Sequence, residues 1–243
     1  MAYRVSITGI DGSGKSTCAY NVFKRLSEKY KVALISRVGL INDSKENITS
    51  NFFLNLSYMI ENLQNFADSL ETKVGVALVN AFDSVFIWPF KESLIKDHSP
   101  EIILCPRDRI LDPAVYMTFY LPKTRKLSAK ERLGLAKKIA DSNYPSLFVY
   151  LHLPVQLAYE RIKQRIEMDK DLQIHHKIKR RMHMHENIKD LEILQNYFLD
   201  SINLLRKNGN DVYVVDATNN EEKVALDISN YILDKVANKY QKL

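Results

Sequence analysis

"YRVSITGIDGSGKST", residues 3–17, decides how the rest of the chain is read. Its first half is a short, β-branched run that stops on Gly9, the pattern of a buried strand. Its second half holds Gly9, Gly12 and Gly14, three of only seven glycines in 243 residues. Beyond them Cys18, Val22, Phe23 and Leu26 recur at three- and four-residue spacing, which predicts a helix over 15–30. "KVALISRV" (31–38) then reads as a second buried strand. Strand, glycine loop, helix and strand make a βαβ unit, and such a unit calls for parallel pairing with a right-handed crossover.

The alternation continues. "EIILCP" (101–106), "SLFVYLHLP" (146–154) and "NGNDVYVVDAT" (208–218) read as a third, fourth and fifth strand. Helical spacing covers 52–73 and 75–97, with Pro89 as a break, then 114–121, 128–142, Pro154 to about 169, 188–207 and 220–240. Residues 170–188 are polar and basic without a clear period. The expectation is one α/β domain over 1–243, a five-stranded parallel sheet with helices on both faces.

Composition narrows the class. The chain is 46% apolar and 26% charged, ordinary globular material able to bury its own core. Its two cysteines, Cys18 and Cys105, form no disulfide framework, so a reducing, cytoplasmic home is expected. No run reaches the roughly 18 apolar residues of a membrane span. The N-terminus enters a strand at once, so no signal or transit peptide is expected. A net charge of +6 suits an anionic ligand without choosing among them.

Gly9, Gly14, Lys15 and Ser16 satisfy G-x-x-x-x-G-K-[ST], with Thr17 next. Glycines let backbone N–H groups close around a phosphate without a Cβ in the way. The helix that follows offers its positive end, Lys15 a point charge, and the Ser16 hydroxyl a ligand for Mg²⁺. Residues 9–17 (Gly9, Ile10, Asp11, Gly12, Ser13, Gly14, Lys15, Ser16, Thr17) are therefore the candidate triphosphate site. The N-K-x-D motif that reads guanine does not occur, which favours ATP. Asp108 and Arg109 follow the third strand, where an open α/β sheet binds ligands. An aspartate there can hold Mg²⁺ and an arginine can fork onto a phosphate, and Arg107 is a second candidate for the latter.

Taken in order, "GIDGSGKST", the "DR" of 108–109, "PSLFVYLHLPVQLAYERIKQR" (145–165), "DLEILQNYFLDSI" (190–202) and "DVYVVDAT" (211–218) resemble the thymidylate kinase family across essentially the whole chain. The resemblance implies a P-loop kinase fold with a mobile helical lid at about 165–188. It implies transfer of the ATP γ-phosphoryl group to a nucleoside monophosphate, dTMP by family, and a possible homodimer. By the same resemblance Asp11 contacts the acceptor sugar, Arg109 grips the acceptor phosphate, and Asp108 stands near Mg²⁺. Arg37 is a further acceptor-phosphate contact. Some members carry an arginine after the acidic loop residue. Here Gly12 stands there, so the transition-state cation falls to the lid, with Arg161 and Arg165 as candidates one helical turn apart.

The base-reading positions depart from that family. Asp83 stands where an arginine reads thymine, and Val79 where an aromatic ring stacks. An aspartate accepts where an arginine donates, so Asp83 suits a base with an exocyclic amino group. For His175, His176, His183 and His185 the preferred reading is a lid that attracts phosphates, with zinc binding and nucleic-acid contact as the alternatives. Base-stacking aromatics are missing there, which makes nucleic acid the weaker reading. Two other functions stand beside monophosphate kinase. A deoxynucleoside kinase needs a carboxylate base after the second strand, where Arg37, Val38 and Gly39 offer none. A regulatory ATP-binding protein would need no acceptor site at all.

Overall fold

The computed structural model describes residues 2–36, 40–41, 59, 62–63, 66, 73–82, 87–96, 98–140, 142–171, 183 and 185–240. Its strands are β1 (Tyr3–Thr8), β2 (Val32–Ile35), β3 (Leu40–Ile41), β4 (Ile102–Cys105), β5 (Leu147–His152) and β6 (Val212–Asp216). They form one sheet in the order β3-β2-β4-β1-β5-β6. Five strands run parallel, as the βαβ pattern requires. The sixth corrects the sequence reading: β3 lies antiparallel to β2, with Leu34 opposite Ile41 and Ile35 opposite Leu40. An element of two residues has no periodicity to read.

The helices are α1 (Lys15–Leu26), α2 (Lys73–Phe82), α3 (Trp88–Lys96), α4 (Leu111–Tyr120), α5 (Ala129–Ala140), α6 (Val155–Asp171), α7 (Ile188–Lys207) and α8 (Glu221–Tyr240). Pro89 lies in the first turn of α3, a position where its missing N–H is harmless. Three N-termini are written in the sequence. Ser128 and Glu131 form a reciprocal capping box ahead of α5. Asn187 accepts the Asp190 amide at 3.0 Å, and Asn220 the Glu222 amide at 2.8 Å.

Both sheet faces are covered, and the two-residue strand period shows it. Val32, Leu34, Ile102 and Leu104 join the main core with Val22, Phe23 and Leu26 of α1. Their neighbours Ala33, Ile35 and Cys105 turn the other way, onto Trp88 and Ile95 of α3. α8 packs along α1, and Arg25 pairs with Glu222 at 2.6 Å between them. Among the described residues no helix is long and apolar enough to cross a membrane.

β1 is the central strand, between β4 and β5. The crossover from β1 leads to β2 on one side, while β5 lies on the other. Strand order therefore reverses at β1, and the crevice at its carboxyl end is where such sheets bind ligands. The loops after β1 and β4 meet there.

Candidate functional site

The loop after β1 is shaped by two glycines in left-handed conformations. Gly14, at φ 88°, is the N-cap of α1. No side chain caps that helix and no acid lies in its first turn, so its positive end is left for a ligand. Gly12, at φ 81°, lies against α6: a Cβ there would sit 2.3 Å from the Ala158 carbonyl oxygen. Ser16 and Thr17 are exposed on the first turn of α1. Lys15 instead curls back and is buried. Its Nζ donates to the Gly9 and Ile10 carbonyls at 2.9 Å each, and to Asp11 Oδ1 at 3.3 Å. Burial pulls the Lys15 ammonium below its usual range, against the opposing pull of Asp11.

Asp11 is the hub of the site. Oδ1 meets Lys15 and, at 3.5 Å, the Arg107 guanidinium. Oδ2 accepts from the Tyr116 hydroxyl at 3.1 Å and pairs with His185 Nε2 at 2.6 Å. Burial works against its ionisation. Lys15, the His185 hydrogen bond and Arg107 outweigh it and hold the carboxyl well below the usual range. Asp11 is thus a carboxylate, the accepting partner in its bond to His185 Nε2. His185 Nδ1 is bonded in turn to the Tyr120 hydroxyl. Burial, and then Asp11, push Tyr116 well above its ordinary value, so it remains a neutral donor.

The loop after β4 divides its charged residues. Asp108 Oδ1 accepts the Ile110 and Leu111 amides at 2.7 and 2.5 Å, which fastens the start of α4. Burial raises the Asp108 carboxyl despite those bonds. Arg109 is 7% exposed and is bonded to Glu92 at 3.1 Å and the Ala140 carbonyl at 2.9 Å. Glu92 also holds Arg4 at 2.6 Å and the Trp88 indole at 3.2 Å. Arg107, 32% exposed, is the arginine that reaches Asp11. Asp112, on α4, accepts from Thr8 Oγ1 at 3.0 Å and from the Asp108 amide at 2.7 Å through Oδ2. Its Oδ1 is buried with no hydrogen-bond partner, and burial lifts the carboxyl to about 6.

On α6, Arg161 donates to the Ala217 carbonyl at 3.2 Å, just past β6, and Arg165 pairs with Glu186 at 2.9 Å. Glu186 is buried and also accepts the His183 amide at 2.7 Å.

Lys15, Asp11 and the rest of 9–17 therefore share one end of the sheet with Arg107, Asp108, Asp112, Arg161 and Arg165. Arg109 is the candidate placed elsewhere. Arg37, Asp83 and residues 172–182 of the expected lid lie outside the described residues. Of the four clustered histidines, His183 and His185 are described; their rings stack at 5.8 Å. Among the described residues no three His, Cys, Asp or Glu side chains gather as metal ligands. Sequence reasoning missed the roles of Tyr116, Tyr120, His185 and Glu186. Nothing local marks them, because each matters through a partner 21 to 174 positions away. The chain matches no protein-family model and no curated protein.

Proposed function

We propose that this chain is an ATP-dependent nucleoside monophosphate kinase of the thymidylate kinase type, built on a P-loop kinase fold. The observation that carries the reading is the site around Lys15. A glycine loop ends on an uncapped helix N-terminus, and its lysine and Arg107 flank a carboxylate held ionised. Uncapped backbone donors with two cations beside them, Lys15 of α1 and Arg107 from the loop after β4, are what a polyphosphate needs. The strand order and the reversal at β1 support the same reading.

Lys15 turns from the Gly9 and Ile10 carbonyls to the phosphates of ATP. Arg107 supplies the second charge on the transferring group. Asp11 faces the acceptor: Tyr116 and His185 hold its Oδ2, and Lys15 and Arg107, by turning to the phosphates, leave its Oδ1 to a sugar hydroxyl. The acceptor phosphate is already an anion, so it needs placement and charge neutralisation rather than a base. Arg161 and Arg165 border the nucleotide from α6. Mg²⁺ brought by ATP would neutralise phosphate charge here. Exposed Ser16 at the helix start fits it, since this ion keeps few protein ligands. Asp108 is first a helix cap, and any share in holding Mg²⁺ falls to its other oxygen.

A deoxynucleoside kinase is the second reading, favoured by Asp112, whose raised carboxyl has the character of a general base. Asp112 is nonetheless buried behind Thr8 and the Asp108 amide. ATP turnover against a panel of nucleosides and their monophosphates decides. Monophosphates as the faster acceptors support the proposal, and faster bare nucleosides support the second reading. ATP binding with no transfer to any of them would mark a regulatory ATP-binding protein.

A further inference from the structure

The turn before α7 places two buried polar side chains next to each other in sequence, and each grips a different part of the site. His185 is 3% exposed and Glu186 1%, whereas Asn187, Ile188 and Lys189, just beyond, face solvent. His185 reaches the phosphate loop through Asp11 Oδ2 at 2.6 Å. Glu186 reaches α6 through Arg165 at 2.9 Å.

We propose that His185 and Glu186 are a pair of positioning residues. His185 orients Asp11 toward the acceptor, and Glu186 holds Arg165 toward the transferring phosphoryl group. The inference rests on the kinase reading above. Its argument is the way the turn is secured. The Glu186 amide donates to the His183 carbonyl at 2.9 Å, and the His183 amide donates back to Glu186 Oε2 at 2.7 Å. Asn187 then caps α7, whose Leu191, Leu194 and Phe198 are in the core. The turn is a fixed base.

The two side chains it positions would otherwise have freedom. The Arg165 side chain is 42% exposed, and a long side chain at that exposure samples many rotamers unless one partner selects among them. A buried carboxylate such as Glu186 is tolerable only when paired, and Arg165 is its cation. His185 is gripped from the other side by Tyr120, itself fully buried, so Asp11 cannot rotate Oδ2 away without breaking a bonded chain of three side chains. A site that works by placement gains most from such second contacts.

The test uses the full chain, Mg·ATP and the monophosphate preferred in the acceptor panel. Four variants are compared: H185N, H185A, E186Q and E186A. E186Q keeps the shape but loses the charge, and it should lower kcat about tenfold or more with KM for the monophosphate little changed. H185A should raise that KM about tenfold, and H185N should recover part of it, because an amide can still donate to Asp11. ATP affinity and melting temperature should stay close to wild type in H185N and E186Q. Kinetics within about twofold of wild type in folded H185N and E186Q overturn the proposal. So does a parallel loss of stability, ATP affinity and activity in all four, which marks a structural turn. A wild-type chain that phosphorylates no monophosphate overturns the kinase reading and this pair together. An active wild type with unchanged variants overturns the pair alone.

Discussion

Gly12 and Ala158 touch through their backbones: the space for a Cβ on Gly12 is taken by the Ala158 carbonyl oxygen, 2.3 Å away. The loop and α6 are held at a separation that only glycine permits, in a φ that only glycine adopts easily. Gly12→Ala should therefore push the loop off α6 and lower ATP affinity about tenfold or more, with about 2 kcal/mol or more of lost stability. Titration calorimetry with ATP and urea unfolding read the two effects. An alanine variant with wild-type affinity would show that the contact is soft. The same contact explains why no arginine can stand at this position here.

Arg107 and Arg109 should separate cleanly on substitution. Arg107→Ala removes a half-exposed cation beside Asp11 and should lower kcat about a hundredfold with little change in melting temperature. Arg109→Ala strips Glu92 of a buried partner and leaves the Ala140 carbonyl unsatisfied, so it should cost about 2–4 kcal/mol of stability instead. Steady-state kinetics beside denaturant unfolding check both. If Arg109→Ala abolishes transfer in a fully stable protein, the two roles are reversed.

Asp11 ties stability to acid. Its folded value lies below the ordinary carboxylate one, so the folded form resists protonation longer than the unfolded chain. The resulting stabilisation is present above about pH 4 and is lost as pH falls toward the depressed folded value. Asp11→Asn should be less stable near neutrality, and its stability should fall less steeply between about pH 4 and 2 than that of wild type. Unfolding followed by circular dichroism across that range checks the slope; equal slopes would place the acid sensitivity elsewhere.

The sheet was legible because each parallel strand is a short apolar run and each crossover helix repeats at three and four. Both signals are local. The glycine turn between β1 and α1 was legible for the same reason, since it is built from consecutive residues. The partners of Asp11 were not. Tyr116 and Tyr120 look like core aromatics on α4, and His185 looks like one member of a histidine cluster; only the fold brings them to the loop. Arg107 and Arg109 are two residues apart, and their different partners depend on the backbone between them and on Glu92, 17 positions before Arg109.

β1 is the earliest strand described and also the central one, and its neighbours come late. Tyr3 aligns with Ile102 of β4 and Val5 with Leu147 of β5, while α1 rests on α8. During synthesis the strand that carries the glycine loop must therefore wait until Ile102 to pair one edge and until Leu147 to pair the other. Such non-local pairing is slow and leaves apolar edges open meanwhile. A fragment that ends before Leu147 should leave the amides of Ser6 and Thr8, which face β5, unprotected in hydrogen exchange, whereas the full chain should rank them among its slowest. The loop on β1 is made before the strands that flank it and is among the last segments to take its working shape.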